Sequence, residues 1–160
     1  MRVLGVDPGL QVTGYGVIES IEGRTKLLEA GIIKLKPRDP IQHRIQKVYH
    51  HLGDVADAYR PDVLVLEKLY THYSYRTTAS ILGHVRGAVC LLCAEKKLTL
   101  TENSVKRIRK AITGNGAATK EQTQAMVAHI LHVDPQKLTA DASDALALAL
   151  GHLSLHFDRR

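Results

Sequence analysis

Four carboxylates stand where an acid is costly to place. Asp7 closes the short apolar run Val3 to Val6 and is followed by Pro8-Gly9, and Glu67 closes the continuous apolar run Val63-Leu64-Val65-Leu66. Asp141 and Asp144 are three residues apart at the start of a helical stretch, so they share one face. An acid at the end of an apolar strand costs free energy to bury unless something neutralises it. Each also has a bland reading. Asp7 would start a turn, Glu67 would be a surface acid, and the pair would favour a helix N-terminus through its dipole. The four together are harder to set aside, because strand ends along one edge of a sheet are where functional groups converge.

Convergent carboxylates repel and raise one another's pKa values. Divalent cations relieve that repulsion, and Mg²⁺ prefers carboxylate oxygens, waters and substrate phosphates. A two-metal carboxylate site suits phosphodiester hydrolysis, one ion activating water and the other stabilising the leaving oxygen.

Beside Glu67 lies an aromatic cluster, Tyr70, Tyr73 and Tyr75, in a chain with six Tyr, one Phe and no Trp. Aromatic rings near such a centre stack on unpaired bases, worth about 1–3 kcal/mol each. Tyr70, three residues beyond Glu67, is the functional candidate; Tyr73 and Tyr75 read as packing. Between Lys96 and Lys110 fall six basic residues (Lys96, Lys97, Lys106, Arg107, Arg109, Lys110) and one acid, Glu102. That run is either a solvated helix face or a nucleic-acid contact. Cys90 and Cys93 form a C-x-x-C inside an apolar helical run, and the second pair that a zinc ribbon needs is missing from the sequence. They read as two buried thiols. The nine histidines include His129/His132 and His152/His156 at helical spacing, but no H-E-x-x-H pattern accompanies them.

The elements that must position these residues follow from periodicity. With 160 residues the chain suits one domain, spanning 1–160, large enough to fold without a metal or disulfide. Its formal charge of +6 favours polyanionic partners. No apolar run approaches the ~20 residues that span a bilayer, and the N-terminus turns polar too early for a secretory leader. A soluble, cytoplasmic protein is expected.

Strands are predicted at Val3–Val6, Thr13–Ile18 and Leu28–Leu35, with Glu22 to Arg24 as a hairpin connection. Ile41, Ile45, Val48, Leu52 and Val55 lie on one face of a helix. Val63 to Leu66 reads as a strand covered on both faces. A helix from Thr77 to Lys96 and a strand from Leu98 to Thr101 follow. Further helices are predicted at Ser104–Ile112, Thr119–Leu131 and Ala140–His156, the second opened by the capping box Thr119-x-x-Gln122. This order describes an α/β fold, a mixed sheet with helices on both faces.

Five motifs in order resemble the RuvC family of Holliday-junction resolvases. They are Val6-Asp7-Pro8-Gly9 with Thr13-Gly14-Tyr15-Gly16; Leu66-Glu67 with Tyr70; Gly83-x-x-Arg86-Gly87; Thr113-Gly114-Asn115-Gly116 with Lys120; and Asp141-Ala142-Ser143-Asp144-Ala145. The resemblance implies an RNase H-like fold with a five-stranded mixed sheet. It implies a homodimer, paired through the apolar helix from Thr77 to Glu95, that cuts four-way DNA junctions in recombination and repair. Asp7, Glu67, Asp141 and Asp144 would be the catalytic acids that bind two Mg²⁺ ions, with Mn²⁺ able to substitute. Tyr70 would engage the opened junction, and Lys120 would sit near the scissile phosphate. Lys106, Arg107, Arg109 and Lys110 would contact DNA, with Arg109 where the family commonly has a lysine. The resemblance further implies cooperation with a junction-binding tetramer and a branch-migration ATPase.

Two other classes share parts of this pattern. An ATP-binding protein of the actin and sugar-kinase type carries a similar turn to Asp7-Pro8-Gly9 but normally uses two such domains. An RNase H-like protein of ribosomal RNA maturation would keep the fold without the junction preference. A DNA-binding module without catalysis is weaker, having no reason to gather four acids.

Overall fold

Alternation along two central strands decides which side chains meet which helices. The computed structural model of the chain describes residues 1–68 and 76–157. Its five strands are β1 (Arg2–Asp7), β2 (Val12–Ile21), β3 (Arg24–Lys34), β4 (Val63–Glu67) and β5 (Thr99–Asn103). They form one sheet in the order β3-β2-β1-β4-β5. β2 runs antiparallel to both β1 and β3, whereas β4 is parallel to β1 and β5 is parallel to β4. Four strands therefore end at one edge of the sheet, and only β2 starts there.

Five helices cover the two faces: α1 (Ile41–Tyr59), α2 (Arg76–Lys96), α3 (Val105–Thr113), α4 (Lys120–Leu131) and α5 (Ala140–Phe157). Leu4, Val6, Leu64 and Leu66 point to a core built with Val48 and Leu52 of α1 and Val85, Val89 and Leu92 of α2. Val3, Val63 and Val65 point the opposite way, into a core with Ile108, Val127, Leu146 and Leu150 from α3, α4 and α5. Successive strand residues face opposite sides, so Asp7 and Glu67 fall on the α3/α4/α5 side.

α5 lies very close to the sheet because the strands beneath it carry glycine. A Cβ on Gly5 would stand 1.9 Å from the carbonyl oxygen of Ala145, and one on Gly14 would stand 2.0 Å from that of Asp141. Alanine at either position would force the helix away.

The expected helices are all present, with termini within a few residues. Thr119 and Gln122 form the reciprocal capping box that opens α4, and Ser104 caps α3. The strands depart further from expectation. β3 begins at Arg24 rather than Leu28, because Glu22 and Gly23 both have positive φ (49° and 79°) and join the strands in a two-residue turn. β5 extends to Asn103 instead of ending at Thr101. Both are edge strands with few fully buried residues, so their apolar signal is weak. The pair of buried thiols needs correction: Cys93 is buried in α2, but Cys90 is exposed on its outer face. The apolar run is longer than the face of the helix that meets the core.

Candidate active site

Asp7 and Glu67 are brought side by side by strand register. β1 and β4 pair in parallel with Val6 opposite Leu66, and the two acids are the next residue on each strand. Both point toward the α5 side. There α5 presents Asp144 one turn into the helix, and Lys120 arrives from the start of α4. Asp7, Glu67, Asp144, Lys120 and Arg109 line one pocket, whose apolar wall includes Val105, Ile108, Ala147 and Leu148.

Lys120 Nζ lies 2.6 Å from Asp144 Oδ2. This contact, which is also a hydrogen bond, holds the Lys120 ammonium pKa above its ordinary value. The Asp7 carboxyl is pushed from 3.8 up to about 7, first by burial and then by the negative charges of Glu67, Asp144 and Asp141. Burial also raises Glu67, with Asp144 adding to the effect and Arg86, Arg109 and Lys120 opposing it. Asp7 thus interacts electrostatically with each of the other three acids. Asp141 does so from the first turn of α5, and it is not among the residues that line the pocket.

These are hard oxygen donors, the set that suits Mg²⁺. Burial first, and then the neighbouring acids, disfavour the charged form of Asp7, and a bound cation would offset both. Among the described residues, no group of three or more His, Cys, Asp or Glu is drawn tightly enough to hold a metal ion as it stands. The donor chemistry fits a divalent ion.

Arg86 is a part of the site that the residue types alone did not single out. It reaches from α2 under the end of β4, where its Nη1 donates to the carbonyl oxygen of Glu67 at 2.6 Å. Its Nη2 pairs with the Glu102 carboxylate on β5. The side chain is only 11% exposed, so it clamps the ends of β4 and β5 from the second face of the sheet. Arg86 lines a second small pocket with Asp7, Pro8, Glu67 and Leu82. Its sequence signal is the motif Gly83-x-x-Arg86-Gly87, which names the residue without giving its role.

Of the basic run, Arg109 enters the pocket wall, whereas Lys106, Arg107 and Lys110 are exposed on α3. Lys96 stands apart and pairs with Asp57. Tyr70, with Tyr73 and Tyr75, lies outside the described residues.

A family model, Crossover junction endodeoxyribonuclease RuvC, matches residues 3–152. The chain belongs to this family. Its relatives include the RuvC crossover junction endodeoxyribonuclease of Rhodopirellula baltica, 38% identical over 151 residues that cover 94% of this chain and 85% of the relative. The RuvC of Pelodictyon phaeoclathratiforme is 40% identical over 150 residues, covering 94% of this chain and 78% of the relative. Among solved structures, Thermus thermophilus RuvC superposes with a TM-score of 0.90 at 27% identity, covering 99% of this chain and 97% of that one. The same enzyme in complex with a Holliday junction substrate gives a TM-score of 0.88 at 25% identity, covering 99% and 96%. The RuvC architecture accounts for the mixed sheet and the helices on both faces, the RNase H-like fold expected from the sequence.

Proposed function

We infer that this RuvC-family chain is a metal-dependent endonuclease that resolves four-way DNA junctions by paired symmetric nicks. One observation carries this reading: Asp7, Glu67 and Asp144 converge with Lys120 on a single pocket, in a chain matched to RuvC over residues 3–152. In this reading Asp7, Glu67, Asp141 and Asp144 hold two Mg²⁺ ions, or Mn²⁺ in their place. A divalent cation held there supplies Lewis-acid polarisation of the phosphodiester and makes water a competent nucleophile at neutral pH.

The chain's own residues do the rest. Asp7 ends a central strand that is paired with β2 on one side and β4 on the other. Glu67 is fixed by the clamp of Arg86 on its carbonyl. Lys120 exchanges Asp144 for the scissile phosphate, bringing positive charge to the oxygens that gain negative charge. Arg109 supports it from the pocket wall. Breaking the bond between phosphorus and the 3′ oxygen leaves a 5′-phosphate and a 3′-hydroxyl. Lys106, Arg107 and Lys110 meet the DNA backbone along α3. Tyr70 stacks on a base exposed at the junction centre and holds it open.

Two sites on opposed strands require two copies. The outer face of α2 supports a homodimer: Gly83, Gly87 and Leu91 recur at every fourth residue, all three are exposed, and Leu91 is 54% exposed. An isologous pair matches a two-fold substrate. A junction-binding tetramer and a branch-migration ATPase are the proposed partners. The whole of 1–160 is read as a single nuclease domain acting in the cytoplasm. Among the described residues, no helix is long and apolar enough to cross a membrane.

The test is cleavage of immobile and mobile four-way junctions with and without Mg²⁺. Paired nicks that need the metal and that spare linear duplex support the reading. Equal cutting of linear duplex, or cutting in the presence of chelator, overturns it. Tyr70 is tested on the same substrates: Tyr70→Phe should be nearly neutral and Tyr70→Ala strongly impaired, with partial rescue by unpaired bases at the crossover. Equal loss on paired and pre-opened junctions would remove the stacking role.

A further inference from the structure

The sheet edge that carries the acids is flanked by basic chain on both sides, and only one side is accounted for. β1, β3, β4 and β5 all end at this edge, in the lateral order β3, β1, β4, β5 once β2 is passed. Asp7 and Glu67 end the two central members. The chain leaving edge strand β5 enters α3 with Lys106, Arg107, Arg109 and Lys110. The chain leaving the opposite edge strand, β3, is Lys34 to Lys47. It carries five basic residues (Lys34, Lys36, Arg38, Arg44, Lys47) and one acid, Asp39.

Lys34, Lys36, Arg38 and Lys47 are all exposed. The segment is also preset in shape. Pro37 and Pro40 restrict its backbone, and the Asp39 N–H donates to the Lys36 carbonyl at 3.0 Å. The Lys47 ammonium donates to the Lys34 carbonyl at 2.8 Å, joining α1 to the end of β3. α1 begins here without a side-chain cap and without an acid in its first turn. The one acid of the segment, exposed Asp39, stands immediately before the Pro40 N-cap, where its charge favours the helix N-terminus, and five basic residues outnumber it.

The surface is tied to the catalytic loop. The Leu35 N–H donates to the Gln11 carbonyl at 2.7 Å, and the Arg44 guanidinium bonds the Leu10 carbonyl. Both acceptors lie in the loop that follows Asp7. Register gives the distance. Asp7 pairs with Gly14 and Gly14 with Ile32, so Lys34 stands two strands across and two residues further out. With strands ~4.8 Å apart and a rise of ~3.3 Å per residue, the two Cα atoms are about 12 Å apart.

We propose that Lys34, Lys36, Arg38 and Lys47 form a second phosphate-binding surface, which grips a duplex arm of the DNA on the side of the acids opposite α3. The proposal rests on the nuclease reading above. The two basic clusters then hold the backbone on either side of the cut, and the acids between them receive the scissile phosphate. Contacts of this kind position the duplex without reading its sequence.

The experiment compares two double variants of the full chain that each lose two positive charges. Lys36→Ala/Arg38→Ala removes charge from the patch. Arg24→Ala/Lys26→Ala removes it from exposed positions at the other end of β3. Binding to a four-way junction is measured in chelator across a salt series, with thermal unfolding as a check on the fold. Each lost phosphate contact makes the slope of log K against log[salt] shallower by roughly 0.9. The patch variant should lose up to about 1.8 in slope while its melting temperature and the distal variant's slope stay at wild-type values. A patch variant with the wild-type slope, or one matched by the distal variant, overturns the second surface and leaves the nuclease reading standing. A wild-type chain that neither binds nor cuts the junction overturns the nuclease reading itself, and the patch with it.

Discussion

Lys120 Nζ sits 2.6 Å from Asp144 Oδ2, so an ammonium at the start of α4 is paired with a carboxylate in the first turns of α5. The pair is partly open to solvent, with side-chain exposures of 47% and 29%, and an ion pair so placed is easily exchanged. It aims the Lys120 ammonium at the pocket that Asp144 lines.

Replacing Lys120 by Met removes that charge with little change in length. Single-turnover junction cleavage at saturating Mg²⁺ should fall by about 10²-fold or more, the scale of losing one electrostatic stabiliser of a transition state. Metal-free melting temperature should also fall, because the carboxylates lose a neutralising neighbour. Wild-type cleavage by the Met variant would confine Lys120 to a structural ion pair.

Asp7→Asn should abolish cleavage and leave junction binding in place, yet stabilise the metal-free fold. The sign follows from linkage. The folded-state carboxyl titrates near 7 against 3.8 in the unfolded chain, so the unfolded chain loses its proton first as pH rises. Metal-free stability therefore declines from about pH 4 to 7, by roughly 2–4 kcal/mol through this group. Chemical denaturation in chelator at pH 5 and pH 8 should show that decline in the wild type and a much flatter profile in the Asn variant. Parallel profiles would mean that Asp7 titrates normally.

Arg86 should act as a positioning residue. Arg86→Met leaves the Glu67 carbonyl and the Glu102 carboxylate without their partner, both contacts being made by one buried side chain. Glu102 is 43% exposed and stays solvated, so the cost comes mainly from the unpaired Glu67 carbonyl and is on the order of 1–3 kcal/mol. Cleavage should fall about tenfold through displacement of Glu67. The Glu102→Gln variant should retain most activity, since the bond to the Glu67 carbonyl survives. Raising Mg²⁺ should partly restore Arg86→Met, a response that general loosening of the fold would not produce.

Gly14→Ala tests whether the approach of α5 sets the geometry of the acids. The added Cβ would collide with the carbonyl of Asp141, 2.0 Å away. The helix must then move off β2 and carry Asp141 and Asp144 away from Asp7. A folded variant with sharply weakened Mg²⁺ binding, read by calorimetry, is the expected outcome. Wild-type metal affinity would show that the helix tolerates the shift.

Much of the architecture follows from local pattern. The apolar run Val63 to Leu66 and the helical spacing from Ile41 to Val55 each name their element without reference to the rest. So does the capping box at Thr119. The four acids could be picked out because an acid ending an apolar strand, or two acids on one helix turn, contradicts the local preference. Spacing along a strand also predicts that Asp7 and Glu67 share a face once the face of Val3 or Val63 is known.

What local pattern cannot supply is the pairing of distant elements. Val6 meets Leu66 across sixty residues, and that register alone makes the two acids neighbours. The edge strands β3 and β5 depart from their local pattern for the same reason: their partners, more than their own residues, decide where they begin and end. The exposure of Cys90, the reach of Arg86 beneath Glu67 and the pairing of Lys120 with Asp144 each depend on which helix face meets the sheet. The basic segment after β3 is unremarkable along the chain, and it gains meaning only because parallel strands bring its start to the edge that carries Asp7. Sequence determined which groups were available for chemistry; tertiary structure decided which of them share a charge environment, because electrostatic coupling depends on distance through space.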